Sequence, residues 1–309
     1  MMDSRFVSKL VMFFPAKIDV LVATSGTEIL ALVLVESGKH LITTLYRPSQ
    51  IQLALAVVPS QSSSLFDGLL SCMPWSVMRL DLYSLDPLYH ASLVSEMEVD
   101  LESGAVNMVI EIGDNFSDYW SKRPKNLRKN ISRYTNRINR DFGGFHLEVI
   151  TDQDAIGAAV GRYAAIESRG WKGKAGTALH PGNVQGDFYR EVMQDFAAAG
   201  EAFIFELYLA EQLVASRLCI ASQEQLIILK TTYDEAFSNY ATGRILLYET
   251  IRYVFETRIS SRIDFYTNAT REQLEWATGS RVMYNLSMYR PSAKSLTRLV
   301  KRVKRTPQS

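Results

Sequence analysis

Leu226 to Glu256, LIILKTTYDEAFSNYATGRILLYETIRYVFE, decides how this chain folds. The apolar run Leu226, Ile227, Ile228, Leu229 reads as a strand that ends at Tyr233-Asp234, and a polar loop follows. From Gly243 onward Ile245, Leu246, Leu247, Ile251, Val254 and Phe255 recur at helical spacing. A glycine at the mouth of a helix lets backbone N–H groups approach an anion, and the helix dipole favours negative charge there. Such a glycine also serves as an ordinary turn or cap residue. Its surroundings therefore decide its meaning.

Working outward, the segment upstream reads Glu167-Ser-Arg-Gly-Trp-Lys-Gly-Lys-Ala-Gly-Thr-Ala-Leu179, and Asp264-Phe265-Tyr266 follows downstream. Phe145 to Ile150 reads as a strand, and Thr151-Asp-Gln-Asp154 as a capping-box variant opening a helix to Glu167. A helix from about Val184 to Ala199 closes at Gly200. Strands at Ala202 to Ala210, Leu213 to Ala221 and Gln225 to Tyr233 are joined by connections short enough for antiparallel hairpins. After the Gly243 helix come a strand at Ile263 to Tyr266, a short helix near Arg271 to Trp276 and a strand at Met283 to Tyr289.

This order, with the Trp-Lys-Gly and Thr-Gly-Arg segments, resembles the family that groups cellulose-biosynthesis-associated acetyltransferases with Fem-type transferases, inside the GNAT superfamily. The resemblance implies an α+β GNAT fold over 142–290. It also implies a degenerate copy of that fold over 1–120, joined by a connector at 121–141. In that family pattern the donor pyrophosphate lies at the N-terminus of the helix after the fourth strand, and a backbone N–H of that strand serves the oxyanion. Carried over, Thr242, Gly243 and Arg244 form the anion site for acetyl-CoA or another acyl-CoA, and Ile228 to Thr232 flanks the thioester. The usual phosphate loop, Gln/Arg-x-x-Gly-x-Gly/Ala, is reduced here to Tyr240-Ala-Thr-Gly243-Arg-Ile245, with a single glycine.

Acyl transfer needs a base for the incoming amine or hydroxyl and benefits from an acid for the leaving thiolate. Glu167, Lys172, Tyr233, Asp234 and Asp264 are the candidate catalytic residues, and Trp171 and Tyr266 the candidate substrate contacts. Lys172 is expected on an anionic group of donor or acceptor, in one cleft with Asp234. A solvated loop lysine beside a Trp anchor is the plain alternative. Glu167 is read either as a base or as a partner of Arg169. Asp234 is read as a cleft carboxylate or as an Asx-turn cap. Asp264, within a strand, needs a partner such as Arg262, Arg244 or substrate, because burial of a lone carboxylate is costly. Tyr266 is the candidate thiolate acid.

The first half reads as mixed α/β. Strands are expected at Val20 to Val22, Leu30 to Val35, Leu41 to Leu45, Met78 to Tyr83 and Val106 to Ile112, with a helix at Ser62 to Cys72. From Ser121 to Arg140, Leu127, Ile131, Tyr134 and Ile138 form a narrow apolar stripe, with Pro124 in the first turn and Asp141-Phe-Gly-Gly144 as the stop.

The 309 residues carry a net charge of +1, with 47% apolar and 22% charged residues, as ordinary globular chains do. That charge is segregated. Ser121 to Arg140 holds eight basic residues and no acid, and Pro291 to Ser309 holds six more without one. With these set aside, 20 basic residues face 33 acidic ones. The basic segments are read three ways: solvated helices, a footprint for an anionic substrate or tRNA, and, for the tail, an anionic membrane surface. Cys72 and Cys219 are expected to be buried free thiols, which points to a cytoplasmic protein, peripheral to the inner face of the membrane if the tail binds there. The apolar run Leu10 to Phe14 is too short to span a bilayer. His40, His90, His146 and His180 are scattered, so no metal site is expected, and no P-loop or dinucleotide fingerprint occurs. The functional expectation is an N- or O-acetyltransferase acting on a sugar, polysaccharide or cell-envelope intermediate, its acceptor a small molecule or a glycan- or lipid-linked group. The alternatives are a Fem-like aminoacyl-tRNA-dependent transferase and a non-catalytic GNAT-fold interaction module.

Overall fold

The computed structural model of the chain describes residues 3–37, 41–48, 56–57, 64–90, 101–170, 173, 176, 178–180 and 182–290. The chain divides into two units, one of Met1–Val7, Phe14–Val106 and Arg281–Ser309, the other of Ser8–Phe13 and Asn107–Ser280. Both are α+β.

In the first unit β1 (Ile18–Ser25) and β2 (Glu28–Ser37) form an antiparallel hairpin. Gly26, at φ +61, supplies the left-handed turn between them. β3 (Ile42–Leu45) pairs with β2, β4 (Ala56–Val57) joins its other end, and β5 (Arg79–Leu85) lies parallel to β3. The Tyr284–Tyr289 part of the last strand pairs with β5, and Val33, Val35, Leu80, Leu82, Leu286 and Met288 are in the core. A buried ion pair, Arg281 to Asp86 at 2.6 Å, ties that strand in place.

Helix α2 (Ser64–Cys72), the next after α1 (Ser4–Phe13), buries Leu69 and Leu70 and turns Cys72 outward. Cys72 is thus exposed, contrary to the expectation of two buried thiols, because it lies off the apolar face of its helix. Cys219 is buried, and burial pushes its thiol up to about 12. Titration of the native protein with a disulfide reagent at pH 8 is expected to label one thiol, and two after unfolding. Two fast-reacting thiols in the native state would contradict this burial.

The second unit opens with α3 (Phe116–Ser121) and α4 (Lys125–Phe142). The sequence suggested one basic connector helix, but Pro124 has an extended backbone and caps α4 rather than lying inside it. Leu127, Ile131 and Ile138 are buried beneath the basic coat, and Gly143, at φ +76, ends the helix. β7 (His146–Ile150), β8 (Ala202–Leu209), β9 (Gln212–Ala221) and β10 (Leu226–Tyr233) follow one another antiparallel. β11 (Arg262–Asp264) then lies parallel to β10, with Val109–Glu111 of β6 (Leu101–Glu111) on its far side. Three helices, α5 (Gln153–Arg169), α6 (Val184–Ala197) and α7 (Thr242–Thr257), pack on these strands. The hairpin connections match the sequence reading. A helix start moves by one residue, since Asp152, not Thr151, caps α5.

Candidate active site

Pairing between β10 and β11 is brief. Leu226 meets Ile263 and Ile227 meets Asp264, and no further register pair follows. β11 ends there, its last residue Asp264 also pairing with Val109, while β10 continues along β9 to Tyr233. From Ile228 onward β10 therefore has β9 as its only strand partner among the described residues. A bulge at Leu229, between Ile228 and Lys230, adds a residue to β10 just past its last pair with β11. Such a gap leaves strand N–H groups facing it without a sheet partner, a suitable place for a carbonyl that gains negative charge.

The top of the gap is formed by the turn into α7. A 3-10 turn, Glu235–Tyr240, replaces the expected open loop. Ala241 follows in the left-handed region at φ 48, and α7 starts at Thr242 with no side chain capping it. Among the described residues no acceptor takes the N–H groups of Thr242 or Gly243. The Thr242 hydroxyl is fully buried and also has no hydrogen-bond partner. At Gly243 a Cβ would lie 3.1 Å from Cδ1 of Tyr233, so the exposed Tyr233 ring rests directly on the glycine. Two open backbone donors, an orphaned hydroxyl and a helix dipole make this end suited to an anion. Arg244, the third member of the expected anion site, pairs with Glu272 of the short helix α8 (Arg271–Leu274).

α4 braces this turn from outside. Arg137 donates to the Asn239 carbonyl at 2.6 Å, Tyr240 donates to Asp141 at 3.1 Å, and Phe142 packs on Phe237 and Tyr240. The exposed side of α4 presents Lys129, Ser132, Arg133, Asn136, Arg137 and Arg140 around a surface groove of about 570 Å³.

Asp234 ends β10 and caps the 3-10 turn by accepting from Ala236 N at 3.0 Å. That is the Asx geometry read from sequence as one of its two roles. It also pairs with Arg169 at 3.7 Å, so Arg169 goes to Asp234 and not to Glu167. The C-terminal end of α5 thereby meets the end of β10, with Gly170 close to the Glu235 carboxylate. Trp171 and Lys172 lie outside the described residues. Gly173 of the same motif is described. A Cβ there would fall 1.8 Å from the Ser168 carbonyl oxygen, so only glycine allows this approach.

Glu167 is 2% exposed, inside α5. One carboxylate oxygen accepts from Tyr163 Oη at 3.0 Å, and the other from Leu179 N at 2.8 Å. It fastens the far end of the Trp-Lys loop to α5. Asp264 is fully buried, and its Oδ1 accepts from Asn107 Nδ2 at 2.7 Å and from Tyr266 N at 3.2 Å. Asn107 therefore partners Asp264, not the arginines expected from sequence. These bonds hold the turn in which Tyr266 adopts φ 40. Half-buried Lys230, one residue past the bulge, places its ammonium 5.3 Å from the ring centre of Tyr189. Sequence reading singled out neither Asn107 nor Lys230. The signal for Lys230 was present, a charge directly after an apolar strand run.

Comparison with known proteins accords with this geometry. Residues 125–274 match the model of the acetyltransferase (GNAT) domain. Among curated proteins none matches the chain in sequence. Solved structures share the fold at low identity. A C-terminal domain described as that of a lysylphosphatidylglycerol synthetase from Agrobacterium fabrum has 11% identity and a TM-score of 0.60, covering 96% of this chain and 91% of its own. FemX has 8% identity and a TM-score of 0.59, covering 94% and 92%. L-PGS from Bacillus licheniformis has 11% identity and a TM-score of 0.56, covering 96% and 91%. A strand left with one partner beyond Ile227, a bulge within it and an uncapped helix start agree with the sequence match, and residues 125–274 belong to the acetyltransferase (GNAT) domain family.

Proposed function

We propose that this chain is an N- or O-acyltransferase that takes its acyl group from an acyl-CoA, acetyl-CoA being the first donor to test. The observation that carries the reading is the start of α7, with its open Thr242 and Gly243 N–H groups and the orphaned Thr242 hydroxyl. These groups fit a pyrophosphate, and Arg244 reaches it on leaving Glu272. The N–H groups of β10 beyond Ile227 face the thioester carbonyl and stabilise the charge it gains on attack. Tyr233 and Asp234 border the acceptor side, and Lys172 is proposed to enter the same cleft with Trp171 as its wall. Glu167 serves as base or as anchor of that loop, Asp264 orients the turn that carries Tyr266, and Tyr266 protonates the leaving thiolate. The acceptor proposed is a sugar, polysaccharide or cell-envelope intermediate, met in the cytoplasm or at the inner face of a membrane. No helix among the described residues is long and apolar enough to cross one.

A second reading, transfer from an aminoacyl-tRNA, is favoured by the basic groove on α4, which adjoins the turn into α7. Calorimetric titration separates the two. Saturable binding of acetyl-CoA, followed by acceptor-dependent release of coenzyme A, is expected for the first reading. No binding at millimolar acetyl-CoA, together with salt-sensitive binding of charged tRNA, would replace it with the second.

A further inference from the structure

Arg217 lies in the middle of β9 and is 4% exposed. Its neighbours in the sheet are Phe205 on β8 and Thr231 on β10, on the face covered by α7. Nε donates to the Thr231 hydroxyl at 3.0 Å and Nη1 to the Thr250 hydroxyl at 3.2 Å. Both partners are neutral, and among the described residues no carboxylate pairs with this guanidinium. Burial pulls its pKa down to about 10, so it remains a cation at neutral pH. A buried charge without a counter-charge is costly, and proteins keep such groups where a ligand supplies the missing partner.

Position narrows the ligand. Thr231 lies two residues past the bulge at Leu229, in the β10 segment proposed above to face the thioester carbonyl. With Nε and one Nη1 proton engaged, the outer edge of the fork keeps an Nη1 proton and both Nη2 protons. That edge suits a carboxylate held in bidentate fashion. We propose that Arg217, positioned by Thr231 and Thr250, binds a carboxylate at the far end of the transferred acyl group. The preferred donor is then the monothioester of a short dicarboxylic acid. This rests on the acyl-CoA reading above and specifies its acyl chain.

The test uses the full chain and two donors, succinyl-CoA and acetyl-CoA, in calorimetric titration. Wild type is expected to bind succinyl-CoA at least tenfold more tightly, as one charge-assisted contact provides. Arg217→Met, which removes the charge but keeps an apolar chain, is expected to abolish that preference while leaving acetyl-CoA affinity within twofold. Its melting temperature should hold or rise, since an unpaired buried cation is gone. Equal affinity of wild type for the two donors overturns the proposal, and that measurement needs no variant. A preference that survives Arg217→Met also overturns it. Failure to bind either donor, by contrast, removes the acyl-CoA reading and with it this refinement.

Discussion

Replacing Gly243 by valine is expected to weaken acyl-CoA binding at least tenfold while the protein stays folded. The loss follows from the approach of the ligand. At the first turn of α7 the N–H groups of Thr242 and Gly243 have no acceptor among the described residues, and the absence of a side chain at 243 lets a phosphate come within bonding distance. A branched side chain there shields the N–H, and losing one charge-assisted bond costs about 1.5–3 kcal/mol, enough for a tenfold change. Stability should survive because the strain has an outlet. The new Cβ would sit 3.1 Å from the Tyr233 ring, and that ring is 45% exposed and can swing outward. Calorimetric titration of acetyl-CoA against both proteins, with thermal melts alongside, checks both halves. A folded variant with unchanged affinity would remove the phosphate role from this helix start. Gly243→Ala supplies the milder case should valine disturb the turn.

Much of this site is local in sequence, which is why it was legible there. The strand ending at Tyr233, the turn and the helix from Thr242 form one continuous stretch whose apolar spacing changes from extended to helical. The Asx role of Asp234 could be read for the same reason, since its acceptor contact reaches only to Ala236. What escaped reading depends on strand register and long-range packing. Asp264 was seen to need a partner, but Asn107 comes from a strand 157 residues earlier, and nothing near Asp264 specifies it. Arg217 looks like a lone basic residue within an apolar strand. Its meaning appears only when β10 brings Thr231 beside it and α7 brings Thr250 over it. Cys72 was misread because a short amphipathic helix leaves a terminal residue on either face with little difference in pattern. The basic run at 121–140 was plain, but the break at Pro124 that makes two helices of it was not.

Glu167 gives the largest stability effect to be expected at the site, and it separates two roles that coincide in the wild type. Its carboxylate accepts from Tyr163 Oη and Leu179 N, both deep in the structure. Glu167→Ala orphans both donors at about 1–3 kcal/mol each and leaves a void, so a loss of about 3–5 kcal/mol is expected. Urea titration should show it as a lower midpoint with little change in slope. Glu167→Gln behaves differently. Its amide oxygen accepts from Leu179 N while its NH₂ donates to the Tyr163 oxygen, so both contacts persist with reversed polarity at the tyrosine. The buried Tyr163 O–H proton then loses its acceptor, so a loss of about 1–2 kcal/mol is expected, smaller than for alanine. Turnover of the glutamine variant then decides the chemistry. A base that removes the acceptor proton contributes roughly a hundredfold or more, and an amide cannot replace it. Retained turnover in Glu167→Gln would make Glu167 the anchor of the loop that follows α5, and a hundredfold fall in a variant that remains folded would make it the base.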